Sequence, residues 1–451
     1  MEPLIPSARR TFIERDNTLS RVAQSVVRFL HVEAAGGVML MVATATALVW
    51  ANSPWDDSYR SLWETHIRLA VGDHIFDESL EHVVGDLLMA FFFFVAGMEI
   101  KRELVTGSLR DRRAAALPAM GAVGGMVVPA LIYLAITAGS EASRGWGIPM
   151  ATDIAFAMGI VAVLDRRVPH SIKVFLLTLA IVDDIGAIAV IAVFYTGDVE
   201  PRWLIAATCV ALLVVVLHRL RVTSAMLFIT LAIAMWMTVY QSGVHATIAG
   251  VVLGLLTPAR PFQTDLQVEQ IVDVLENRPE LSPDDVRSTA ALITGSISPC
   301  DRLIDALHTW TSYLIVPVFA LANAGIDISP SAVTSPSRAF MGVALGLVLG
   351  KLSGILLFSA LATRLGLGTL PEGARWIELV GAAAIAGVGF TVSLFVTGLA
   401  FDSPVLRDDA KLATLLASAT AAALGAIIFV AAHASVIRSK RGGDNAVTRV
   451  D

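Results

Sequence analysis

Residues 179–188 read Leu179-Ala180-Ile181-Val182-Asp183-Asp184-Ile185-Gly186-Ala187-Ile188, an adjacent acidic pair inside a long apolar run. A charge near the centre of a bilayer costs on the order of 2.5–3.5 kcal/mol on insertion scales, so a carboxylate persists there where it pairs, lines water or meets an ion. Largely apolar residues extend well beyond the pair on both sides, which sets it at depth in a span rather than at a span end. Neighbouring helical residues point about 100° apart. Asp183 and Asp184 therefore address different partners, and two roles are open.

Outward from this pair the chain is built of similar blocks. Of its 451 residues, 55% are hydrophobic and 16% charged. Apolar stretches lie near 34–51, 84–100, 115–138, 148–164, 172–195, 203–217, 222–240, 243–258, 306–325, 340–363, 376–400 and 411–435. Blocks of this length match the hydrocarbon thickness divided by the helical rise, so the expected fold is an all-α polytopic membrane protein of about twelve spans. The net charge of −6 lacks the basic excess of a nucleic-acid partner. Cys209 and Cys300 have no spaced partners for a disulfide framework or a zinc site.

Basic residues test the count. Of 33 Lys and Arg, 25 fall on one alternate set of loops and termini, 7 on the other, and Lys351 alone inside a block. Cytoplasmic loops are the basic ones, so both termini, 1–33 and 436–451, are expected in the cytoplasm around a transmembrane domain at 34–435. The N-terminal segment lacks the short apolar core and cleavage site of a signal peptide. Within 52–83, alternating residues flank a Gly72-Asp73 turn, the pattern of a short extracytoplasmic β-hairpin. The cytoplasmic loop 259–305 holds nine acidic residues against four arginines and reads as a solvated linker.

Further polar residues interrupt the blocks. Thr152 and Asp153 follow Pro149 in the fourth; they serve equally as a helix cap, but hydroxyl, carboxylate and freed carbonyls are also the oxygen set of a hard cation. The acidic pair one span later favours a site. Lys351 has about ten largely apolar residues on each side and reads as a counter-charge to one of the two aspartates. In the eleventh block, Gly387, Gly389, Thr391 and Ser393 suit either close helix packing or a broken helix. Asp86 lies near the outer end of the second block, with Glu99 and Glu103 at its inner end, a mixed-charge mouth that can attract cations. His245, at a span start, reads as a hydrogen-bonded structural histidine.

At these residues the chain resembles the NhaA family of sodium/proton antiporters. The matching strings run in order from Asp86 through Leu104, ending in Gly97-Met-Glu-Ile-Lys-Arg-Glu-Leu104, through Ala151-Thr-Asp-Ile-Ala-Phe-Ala157, Val182-Asp-Asp-Ile-Gly-Ala187, Ser242-Gly-Val-His-Ala-Thr247, Phe319-Ala-Leu-Ala-Asn-Ala-Gly325 and Leu370-Pro-Glu-Gly373 to Gly387-Val-Gly-Phe-Thr-Val-Ser393. The resemblance implies inverted repeats with the fourth and eleventh helices broken and crossing. It implies Na+ or Li+ at Asp184, Asp153 and Thr152, and Asp183 paired with Lys351. It further implies a pH-responsive cytoplasmic mouth at Glu99, Glu103 and His308, and a homodimer formed through the 52–83 hairpin. The stretch Leu303-Ile-Asp-Ala-Leu-His308-Thr-Trp310 departs from the family, carrying one histidine and no following proline.

The expected activity is exchange of Na+ or Li+ for H+ across a bacterial inner membrane, electrogenic, serving sodium extrusion and pH homeostasis. No enzymatic step and no cofactor beyond the transported ions is expected. A cation channel would need rings of repeated charge, which the chain lacks. An intramembrane aspartyl protease would need its aspartates on facing helices. Asp183 and Asp184 share one, although Asp153 with Asp184 leaves that reading open.

Overall fold

A computed structural model describes residues 18–71, 74–197, 199–220, 222, 224–261, 295–327 and 335–447; side chains are described from residue 35 to 435, except those of 69–76 and 112. The Gly72-Asp73 turn and most of the loop expected at 259–305 lie outside these residues.

Each apolar block coincides with helix. The chain opens with α1 (Thr18–Ala51) and the short α2 (Asp56–Trp63), bent 116° apart. Two antiparallel strands follow, β1 (His66–Val71) and β2 (His74–Ser79), in a register that pairs Arg68 with Asp77. Next come α3 (Leu80–Val105), α4 (Arg112–Thr137), a 3₁₀ helix over Glu141–Met150, α5 (Ile154–Leu164), α6 (His170–Phe194), α7 (Pro201–Arg219), α8 (Ala225–Gln241) and α9 (Thr247–Leu256). The chain ends with α10 (Pro299–Asn323), α11 (Arg338–Arg364), α12 (Trp376–Ile385), α13 (Phe390–Ala400) and α14 (Pro404–Val447). Helix α10 starts at Pro299, ahead of the block edge at 306, because Ser298 caps it and Pro299 is pre-shaped for a first turn.

Seven helices are long and apolar enough to cross a membrane, or up to ten if each of three bent pairs is one span; α8 and α9 are shorter apolar helices. Exposed side chains on α7 and α8 include Ile205, Leu212, Met226, Ile229 and Ile233, while Asp153, Asp183, Asp184 and Lys351 are buried. Apolar outside and charged inside is the reverse of a water-soluble helical protein. The chain is a multi-pass membrane protein.

Two apolar clusters fill the interior, one holding Tyr133, Phe319, Val388 and Phe395, the other Leu176, Leu179, Ile355, Ile385 and Ala386. The gap between α12 and α13 lies where they meet, since Ala386 belongs to one and Val388 to the other. Helices α4 and α11 touch backbone to backbone at Gly124 and Gly354, where a Cβ on either would strike the other's carbonyl oxygen. With no hydrophobic drive between helices in lipid, such close van der Waals contact is what holds them together. Gly354→Val is expected to lower the thermal midpoint of the detergent-solubilised protein, consistent with overpacking costs of about 1–3 kcal/mol or more. Gly398→Ala, where the added methyl meets open space, should leave it unchanged or raise it; equal midpoints for the two variants would refute the contact.

Candidate functional site

Two helices stop inside the protein and repair each other. The 3₁₀ helix and α5 are separated by extended residues 151–153 with a 42° bend, and α12 and α13 by 386–389 with a 45° bend. Each break frees backbone groups that lipid cannot satisfy. The Asp153 amide donates to the Val388 carbonyl at 2.7 Å, and Thr152 Oγ1 donates to the Ala386 carbonyl at 2.9 Å. On its other side, Asp153 Oδ1 accepts the Phe156 amide at 2.9 Å, in the first turn of α5. Its Oδ2 accepts the Thr391 amide at 3.0 Å and the Thr391 hydroxyl at 2.6 Å, in the first turn of α13. One carboxylate thus caps the positive ends of two helices. Gly387 and Gly389 keep this crossing tight, with a Cβ on Gly387 only 2.6 Å from the Leu347 carbonyl oxygen of α11.

Lys351, fully buried on α11, bonds Asp183 Oδ2 and donates to Thr152 Oγ1 at 2.9 Å. A π turn over Gly346–Gly350 precedes it, an irregularity common at functional positions. Asp183 Oδ1 has no hydrogen-bond partner among the described residues. Asp184, 5% exposed, differs from both neighbouring acids: among the described residues no hydrogen bond to its carboxylate is formed. The 100° offset along α6 is thus used, with Asp183 on Lys351 and Asp184 turned to a separate, unbonded position.

Of the remaining candidates, Glu99 stands near enough to Asp184 for the two charges to interact, and the others lie apart from this cluster. Glu99 and Glu103 are half-buried on the last turns of α3. Glu103 accepts the Ser108 amide at 2.6 Å and bonds the Ser108 hydroxyl, which meets Thr178 Oγ1 of α6 at 2.9 Å. His308 sits on α10, whose start docks on α3 through Cys300 Sγ to the Met98 carbonyl at 3.2 Å. Asp86 lies within a π turn of α3, its Oδ1 3.7 Å from His245 Nε2, while His245 Nδ1 is 3.2 Å from Thr247 Oγ1. In the hairpin, His66 and Arg68 hold the Asp77 carboxyl below its usual range, and Tyr240 OH donates to Glu78 at 2.7 Å, tying β2 to α8. Among the described residues no three His, Cys, Asp or Glu gather as a metal site.

The buried carboxylates, the lysine between them and the crossed breaks can be set beside known proteins. A family model described as Na+/H+ antiporter 1 matches residues 27–429. This chain belongs to that antiporter family. Its relatives include the Na(+)/H(+) antiporter NhaA of Rhodopirellula baltica, 46% identical over 90% of this chain and 94% of the relative. The Na(+)/H(+) antiporter NhaA 3 of Frankia alni is 45% identical over 91% and 89%, and the NhaA of Wolinella succinogenes 41% identical over 89% and 91%. Antiporters of this family are transporters, not enzymes.

Sequence reasoning passed over Thr391 as a partner of Asp153, along with Ser108 and Thr178. Thr391 and Thr178 offered only a hydroxyl in an apolar block, common enough in packed helices to carry no address of its own, and Ser108 lies in the basic stretch between two blocks. The Lys351 contacts generate a stability prediction. Removing one member of a buried ion pair costs about 3–5 kcal/mol, whereas replacing both is often neutral. Lys351→Met is expected to lower the thermal midpoint sharply, and Asp183→Asn combined with it to recover most of the loss. Simple addition of the two single losses would show that the pair is not coupled.

Proposed function

We propose that this chain exchanges Na+ or Li+ for H+ across the bacterial inner membrane, with Asp184 alternately holding the cation and the proton. The observation that carries this reading is that Asp184 is buried without a hydrogen bond, among the described residues, beside acids that are bonded. A buried carboxylate without a hydrogen bond is stable when it is protonated or when it meets a cation. It cannot be both, so Na+ and H+ compete. Asp153 and Thr152 complete the oxygen set, of the kind hard cations prefer.

Lys351 links the cation site to a second proton carrier, since it bonds both Thr152 and Asp183. A cation that drew Thr152 and the neighbouring carboxylates toward itself would weaken Lys351's hold and favour release of a further proton from the Asp183–Lys351 pair. More charge then moves with protons than with Na+, and transport is electrogenic, exporting sodium and acidifying the cytoplasm for pH homeostasis.

In this reading α1, the two broken pairs and the two shorter apolar helices join the seven long ones as twelve spans, in inverted repeats whose fourth and eleventh members are broken and cross. A transport domain over 34–435 carries the extracytoplasmic hairpin loop 52–83 and the cytoplasmic loop 259–305, and cytoplasmic segments 1–33 and 436–451 flank it. The hairpin supports a homodimer. Glu99, Glu103 and His308 form the pH-responsive cytoplasmic mouth, and Asp86 with His245 lines the outer one. No cofactor is needed beyond the transported ions.

In everted vesicles the wild-type chain is expected to dissipate a pH gradient on addition of Na+, and Asp184→Asn and Asp153→Asn to abolish the response. The two variants should differ in stability. Asp184→Asn breaks no hydrogen bond and should shift stability by no more than about 1 kcal/mol, whereas Asp153→Asn turns one capping acceptor into a donor and should cost about 1–3 kcal/mol. Full activity in both variants would sink the site. Sodium uptake that leaves the membrane potential unchanged would remove the electrogenic step.

A further inference from the structure

A second polar region lies beside Phe395, toward the far end of α13 from the broken-helix crossing. A cavity of about 170 Å³ is lined by Glu81, His82 and Asp86 of α3, His245, Phe319 of α10, Phe395 of α13, and Arg407 and Lys411 of α14. Phe395 stands one turn along α13 from Thr391, the partner of Asp153, and packs against Phe93, Phe319 and the edge of His245. The cavity is therefore the polar space next outward from the exchange site, on the side of the hairpin.

Its basic residues are not equivalent. Arg407 is spent on the Phe401 carbonyl at the end of α13, at 3.0 and 3.3 Å. The His82 ring pairs with Ser79 Oγ at 2.9 Å. The Lys411 side chain is only 6% exposed, and its ammonium faces Glu81 at 3.7 Å, too far for a hydrogen bond. Asp408, one turn before Lys411 on α14, and Asp86 across the cavity are the other acids near it. A buried ammonium this loosely held projects its field into the cavity, and its charge and approach to Glu81 imitate those of a monovalent cation.

We infer that Lys411 sets the affinity of the extracytoplasmic face for Na+, by competing with the incoming cation for Glu81 and by repelling it from Asp86. This rests on the antiport reading above. The cytoplasmic face, reached without passing this cavity, is untouched by Lys411. The pair thus lowers external rebinding of an exported cation.

Apparent KM for Na+ is measured on each face separately, in right-side-out and everted vesicles. Lys411→Met is expected to lower the external KM by about fivefold or more, as removal of a partly screened charge a few ångströms away would do, with the cytoplasmic KM unchanged. Lys411→Arg should keep the wild-type value, and Glu81→Gln should raise the external KM. An unchanged external KM in Lys411→Met, or equal shifts on both faces, overturns the inference. If Lys411→Met does not fold, Glu81→Gln decides, and an unchanged external KM there overturns it equally. A wild-type chain that moves no Na+ at either face would instead refute the antiport reading.

Discussion

In hydrocarbon a helix that ends early leaves amides and carbonyls that neither lipid nor bulk water can satisfy, and each costs several kcal/mol. Asp153 answers for two such ends at once. Its two oxygens take amides from the first turns of α5 and α13, while its own amide and the neighbouring Thr152 hydroxyl return hydrogen bonds to the Val388 and Ala386 carbonyls. Remove that exchange and neither break is tolerable at depth. With it, two interrupted helices cross as one closed unit and hold polar atoms far from water.

That closure lets the other charges stay. Lys351 can be fully buried because Thr152, itself held at the crossing, and Asp183 accept from it. The π turn before Lys351 and the Gly124–Gly354 contact beside it set α11 against α4. Asp184 is then the acid without a hydrogen bond among the described residues, next to the Asp183–Lys351 pair and the Asp153 cap. Asp153 and Thr152 complete backbone hydrogen bonding and are needed for the fold, whereas the Asp184 carboxylate completes none among the described residues.

The two polar regions differ in kind. Around Asp153 nearly every atom is bonded, and distances are those of strong hydrogen bonds. Around the cavity beside Phe395 the Glu81–Lys411 ion pair and the Asp86–His245 contact are both 3.7 Å long. Loosely paired charges beside a cavity respond to an ion more readily than tightly bonded ones, because less is lost when they part. Phe395 lines one region and lies a turn from the other, so α13 borders both.

How much of this was legible in the sequence follows from the range of the forces. Apolar blocks, the acidic pair within one, the lone interior lysine and the alternating pattern around Gly72-Asp73 are properties of neighbouring residues, and hydrophobic burial acts on them locally. They determined a polytopic helical protein with a short hairpin, and they named Asp153, Asp183, Asp184 and Lys351. Partners were another matter. The 100° offset required two of them for the acidic pair, and the family resemblance assigned Lys351 to Asp183, a contact the structure shows; only the tertiary arrangement decided that Thr391 serves Asp153 from 238 residues away and that Lys411 faces Glu81. A hydrogen bond reaches about 3 Å, and no pattern along the chain says which distant segment will come that close.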